Sequence, residues 1–199
     1  MSITSFPVSD VPSVSGNSNK VLTNNGSQAY WGPGSGMTLL GSVSANGTLV
    51  TISNIDQSYT DLRLVGVDIG TNGSGVCRLR VNGLTGSAFY GFSYFLSNAT
   101  SAITHTTDLN GGQFMFSYTS SAGKVCSITD IYNYASTTKT VKPWRSMSDV
   151  HNTTSYRWNS WGGFNSTSTN QDGLANITSI SMYNDNTWNG GTFYLYGVK

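Results

Sequence analysis

Few residues of this 199-residue chain are able to do acid–base or nucleophilic chemistry: nine acids, all of them Asp, two histidines and two cysteines. Sugar hydrolysis by paired carboxylates needs two acids held across a cleft with separated pKa values. The aspartates are instead scattered. Asp56, Asp61 and Asp68 flank one strand-like run, Asp130 lies within another, and Asp108, Asp149, Asp172 and Asp185 fall near turns, where Asp commonly bonds its own backbone. His105 and His151 have no Gly-x-Ser-x-Gly elbow to serve, so no serine triad is expected, and both read as exposed loop histidines. Cys77 and Cys126 lack the CxxC partner or nearby His of a metal site. They are expected as buried free thiols, with a disulfide between them as the alternative. Residues 184–191 offer the oxygen donors calcium prefers but not the EF-hand spacing or its terminal Glu, and read as a hairpin loop. No phosphate loop or dinucleotide motif occurs. The expectation is a protein that is not an enzyme, with no catalytic residues, no cofactor and no metal.

The elements that would position such residues are strands. Nearly half the chain is Ser, Thr, Asn or Gly, and only 10% is charged. These residues compete with the helical backbone or populate turns, so helix bundles and coiled coils are poor readings. Aromatics make up 12%, too many for a disordered chain and enough to fill one core. A net charge of +1 supplies no basic field for nucleic acid or an anionic membrane, and no run approaches the roughly 18 apolar residues of a membrane-spanning helix. The N-terminus has neither the basic head nor the apolar stretch of a signal peptide, so export by that route is not expected.

Strand-like runs at 38–43, 48–54, 61–69, 76–82, 88–96, 113–119, 124–134, 138–145, 154–159, 177–184 and 192–198 are separated by turn signals such as Asn46-Gly47, Asn72-Gly73, Gly162-Gly163 and Gly190-Gly191. In several runs apolar and polar residues alternate: Cys77, Leu79 and Val81 oppose Arg78 and Arg80, and Phe193 and Leu195 oppose Tyr194 and Tyr196. One buried and one wet face per strand is the antiparallel pattern. The fold expected is all-β, an antiparallel β-sandwich or jelly roll over residues 37–199.

Residues 1–36 differ. Pro7 and Pro12 interrupt a Ser- and Asn-rich stretch, and Asn25-Gly26 sits between two short apolar segments, the signature of a tight hairpin. An extended attachment arm with a small hairpin is expected there, with Phe6, Val21, Leu22, Tyr30 and Trp31 as its contact residues. The surplus of aromatics in the main domain suggests contact surfaces, and Trp144, Trp158, Trp161 and Trp188 are the candidates for an exposed platform or glycan contact. Residues 97–112 and 145–176 read as loops available to a partner.

Several stretches in a consistent order carry a resemblance. Leu39-Leu40-Gly41-Ser42-Val43, the run from Leu49 to Val65 with Ser53-Asn54-Ile55-Asp56-Gln57-Ser58-Tyr59 at its centre, and Leu79-Arg80-Val81-Asn82-Gly83 resemble the opening of β-sandwich virion proteins of tailed bacteriophages. Ile131-Tyr132-Asn133-Tyr134, Ile177-Thr178-Ser179-Ile180 and the closing Phe193-Tyr194-Leu195-Tyr196-Gly197 are similar to the middle and last strands of that group, and residues 20–31 to the hairpin that precedes such domains. The resemblance implies a non-enzymatic exterior protein of a phage particle, made in the host cytoplasm. It implies a homo-oligomer, as a trimer, that contacts other virion proteins of capsid or tail. Capsid decoration and a short tail fibre that binds host surface glycan are both within it; a free lectin-like module is the alternative.

Overall fold

The computed structural model describes residues 20–24, 29–33, 36–83, 89–97, 103–107, 114–119, 123–138, 141–151, 156–165 and 175–199. Twelve strands and no helix occur among them: β1 (Lys20–Asn24), β2 (Ala29–Pro33), β3 (Met37–Ser53), β4 (Asp61–Thr71), β5 (Gly75–Val81), β6 (Phe89–Ser97), β7 (Ile103–Thr107), β8 (Phe114–Thr119), β9 (Lys124–Ile131), β10 (Val141–His151), β11 (Tyr156–Asn165) and β12 (Ser179–Val198). β1 and β2 form the expected antiparallel hairpin, with Leu22 opposite Trp31. The other ten make one antiparallel sheet that curls almost into a barrel, in the order β7-β6-β11-β10-β9-β4-β12-β5-β8, with β3 on the other side of β12. The expected all-β sandwich is the fold observed.

The sandwich arises because the two longest strands, β3 and β12, bend at one level. The first half of β12 pairs with β5 and the second half with β4, so β4 and β5 lie end to end along one edge of β12. β3 follows β12 along its other edge throughout. At the bend, the pairing skips from Tyr183–Leu49 to Trp188–Gly47, and again between Asn189 and Thr192. Gly47 has φ +76° and Gly191 φ +95°, backbone states that cost an L side chain on the order of 1–2 kcal/mol. A Cβ on Gly191 would also stand 2.5 Å from the Asp68 carbonyl oxygen, so the strands touch here through bare backbone.

These glycines correct two expectations. Asn46-Gly47 and Gly190-Gly191 do not end strands; they kink two long strands so that the sheet folds over itself. Residues 184–191, expected as a hairpin loop, lie within β12. Asparagine amides replace the ladder bonds lost at the kink. Asn184 donates to the Val76 carbonyl and Thr119 Oγ1 at 3.3 and 3.2 Å, Asn186 donates to the Ser74 carbonyl at 2.9 Å, and Asn189 to Asn72 Oδ1 at 3.0 Å.

The fold brings β8 across the inner face of β9, β10 and β11. Phe116 of β8 meets Phe193 edge-on at 6.1 Å, and Trp188 meets Phe193 at 5.5 Å, an aromatic cluster that joins the two layers. Leu62, Leu64, Leu79, Ile131, Ile180 and Leu195 fill the space around it. Beside this apolar core runs a seam of buried hydroxyls. Ser117 donates to Ser148 at 2.8 Å, Ser146 donates to the Phe116 carbonyl at 2.7 Å, and Thr129 and Ser146 share a bond of 2.8 Å. Small hydroxyl side chains let β8 approach β9 and β10 closely while every one of these bonds offsets the cost of burying oxygen.

Candidate functional site

The seam has a counterpart on the outer surface. Midway along β9 and β10 the usual polarity is inverted: Ser127, Thr129, Ser146 and Ser148 point in, while Ile128 and Met147 point out and are 44% and 45% exposed; toward the strand ends Val125, Ile131, Trp144 and Val150 are buried in the ordinary way. Register places these side chains in rows across the sheet. Tyr194, Val65, Ile128, Met147 and Asn159 follow one another on β12, β4, β9, β10 and β11. The neighbouring row is Leu39, Tyr196, Arg63, Asp130, Arg145 and Trp161, starting on β3. Leu39 and Trp161, at the two ends, are 52% and 44% exposed.

Beyond the first row, on the side away from the second, lies a shallow depression of about 250 Å³ with walls from Val65, Val67, Ile128 and Met147 and a rim from Asp149, Arg157 and Asn159. Two ion pairs bracket it. Arg63 grips Asp130 through two bonds of 2.6 and 3.0 Å, and that carboxylate holds the Arg63 pKa above its ordinary value. Arg157 meets Asp149 at 2.9 Å, a solvent-exposed contact of little energetic weight. Two ion pairs thus match four charges of this face, while Arg145 reaches Met147 Sδ at 3.5 Å, and the exposed side chains among them include the apolar and aromatic Ile128, Met147, Leu39 and Trp161.

The residues whose side chains are able to do chemistry have structural work. Asp56 accepts from Ser58 N at 2.9 Å in a turn, Asp61 accepts from Asn133 N at 2.8 Å, and Asp130, Asp149 and Asp185 pair with arginines. Asp108 and Asp172 lie outside the described residues. His105 and His151 fall within β7 and β10, not in loops. Among the described residues no three His, Cys, Asp or Glu side chains gather as a metal set. Cys77 is buried and free, and burial pushes its thiol up to about 12; Cys126 is free but exposed on the outer face, beside the depression. Only one of the two thiols is therefore buried as expected, and they do not pair.

Of the four tryptophans expected as a surface platform, Trp144, Trp158 and Trp188 are buried, with at most 3% of their surface exposed. Their inward strand positions carry them into the core, so that assignment is corrected and Trp161 alone of the four faces solvent. Val21, Leu22, Tyr30 and Trp31 belong to the β1–β2 hairpin; Phe6 lies outside the described residues. Of the expected loops 97–112 and 145–176, residues 103–107 form β7, residues 145–151 belong to β10 and residues 156–165 to β11. The outer rows themselves escaped the sequence reading, because a run such as Arg145-Ser146-Met147-Ser148 shows its alternation with the polarity reversed.

Comparison of the chain with protein-family models, with curated proteins and with solved structures gave no match.

Proposed function

We propose that the chain is a non-enzymatic structural protein of the exterior of a phage particle, fastened by its N-terminal arm, and that the outer face of the large sheet is its working contact surface. The observation that carries this reading is the inverted polarity midway along β9 and β10, at residues 127–129 and 146–148. A sheet that needed only to fold would place Ile128 and Met147 inward and the serines outward. Here apolar side chains are spent on the outside, where they gain nothing until another surface covers them.

The size of the face fits that role. Five strands spaced about 4.8 Å apart, with three outward residues each at about 6.8 Å intervals, span roughly 400–500 Å². One side of a standard protein–protein interface is about 800 Å², so this face alone is small for a lasting one-to-one complex. Repeated around a particle and combined with a tethered arm, a contact of this size holds through effective concentration. The virion resemblance of the strand sequences and the composition, poor in ionisable groups, support the same reading. Capsid decoration and a short tail appendage both use such a surface.

The test is reattachment. Particles lacking the chain are mixed with the full chain, with a form lacking residues 1–36, and with Ile128→Lys/Met147→Lys, then pelleted. The full chain is expected to sediment with the particles and both altered forms to remain in the supernatant; equal sedimentation of all three refutes the role given to arm and face.

A free lectin-like module is the second reading, favoured by Trp161, which stands exposed in the row with Arg145. Glycan-array binding that disappears in Trp161→Ala, with no particle attachment, would select it.

A further inference from the structure

Among the described residues, the long outer edge of β3 is the least protected feature of the fold. β3 pairs with β12 on one side only, and no other strand of the described residues takes its second edge. It runs for 17 residues, Met-Thr-Leu-Leu-Gly-Ser-Val-Ser-Ala-Asn-Gly-Thr-Leu-Val-Thr-Ile-Ser, without a charge or a proline. Natural sheets blunt exposed edges with Lys, Pro, inward charges or short strands, because an open ladder templates pairing with another chain. Here the charges lie on flanked strands instead: Asp61 and Arg63 in β4, Arg78 and Arg80 in β5, Lys124 and Asp130 in β9, Arg145 and Asp149 in β10. The other terminal strands, β7 and β8, are five and six residues long, and in β8 Phe116, Ser117 and Thr119 are buried.

Irregularities break the β3 ladder at Leu40 and around Gly47, leaving Leu49–Ser53 as its longest regular arm, in step with Ser179–Tyr183. In this arm Val50 and Ile52 point into the core, and Leu49, Thr51 and Ser53 point out, with Leu49 49% exposed. The occupant must be an extended segment with free N–H groups and no charge to oppose. The chain's own N-terminal arm is a poor one. Pro7 and Pro12 stand an odd number of residues apart, so an extended arm turns one missing N–H toward any strand it lies against. A second copy of the same edge meets every requirement.

We propose that β3 pairs antiparallel with β3 of a second copy through residues 49–53, about a two-fold axis at Thr51. Thr51 faces its own equivalent, Leu49 faces Ser53, and Val50 faces Ile52, so the inward apolar row of one copy continues into the other. The sheet β8-β5-β12-β3 becomes eight strands across the pair. This goes beyond the virion reading and stands or falls on purified protein. It also gives a two-fold assembly in place of the three-fold one the resemblance implies.

The experiment is sedimentation velocity on the full chain from 1 to 100 μM, about a hundredfold range in which a self-pairing edge is expected to show a dimer. Thr51→Lys sets two like charges face to face and is expected to leave a monomer with unchanged circular dichroism. Met147→Lys, on the outer face, is expected to remain dimeric. In a Cys126→Ser background, Thr51→Cys is expected to oxidise to a covalent dimer, a readout independent of how well the lysine variant folds. A wild-type chain that is monomeric or trimeric throughout, a Thr51→Lys dimer, or a Thr51→Cys chain that does not cross-link overturns the proposal. Failure here leaves the particle test untouched, and failure of the particle test leaves this one untouched.

Discussion

Replacing Gly191 and Gly47 by alanine separates two things a glycine can supply at the bend. Both have left-handed backbone, at φ +95° and +76°. Around Gly47 nothing lies within 4 Å of an added Cβ, whereas at Gly191 it would meet the Asp68 carbonyl oxygen at 2.5 Å and Ile69 Cα at 2.7 Å. For Gly47→Ala the conformational penalty of about 1–2 kcal/mol is partly offset by a stiffer unfolded chain, leaving a loss of about 1 kcal/mol. For Gly191→Ala the same penalty is joined by overpacking against main chain that has no rotamer to escape into, worth about 2 kcal/mol more. At roughly 2–4 °C per kcal/mol for a domain of this size, the melting temperature should fall by about 3 °C for Gly47→Ala and about 9 °C for Gly191→Ala. Calorimetry on the two variants measures both. Equal losses would refute the close passage of Gly191 in β12 over Asp68 and Ile69 in β4, and with it the explanation of how one sheet becomes two layers.

Three further outcomes follow from the interior. Ellman's reagent should titrate one thiol, Cys126, in the native chain and two after unfolding; a slow or absent native reaction would contradict the exposed position of Cys126. Burial pushes both Cys77, from 9.0, and Tyr134, from 10.0, up to about 12, so the folded chain holds these protons more tightly than the unfolded one. The stability this contributes is whole below pH 9 and is lost as pH rises toward 12, which urea midpoints measured between pH 8 and 11 will show, with Cys77→Ala flattening part of the slope. Ser146→Ala removes the hydroxyl that bonds the Phe116 carbonyl and Thr129, and should cost about 1–3 kcal/mol in chemical denaturation; Ser136→Ala, at a turn, is expected to change little.

The class of fold was legible because composition and turn residues act locally. Alternation in β5 and in the last stretch of β12 identified strands with the correct inward residues, Cys77, Leu79, Val81, Phe193 and Leu195. The bend was not legible. Asn-Gly and Gly-Gly favour a hairpin turn and a kinked strand alike, and what decides between them is pairing between β3 and β12, near opposite ends of the chain. Nor were the outer rows. Met147 between Ser146 and Ser148 points outward only because β8, about thirty residues earlier in the chain, lies over the serines. The tryptophans differ for a local reason: Trp158 and Trp161 have the same side chain, but a spacing of three residues in a strand puts them on opposite faces.

Antibody labelling of intact particles viewed by electron microscopy tests the functional reading most directly. Label on the outside of the particle, over the head for a decoration protein or confined to the tail for an appendage, is the expected result. Purified particles that carry neither label nor the chain itself would contradict it.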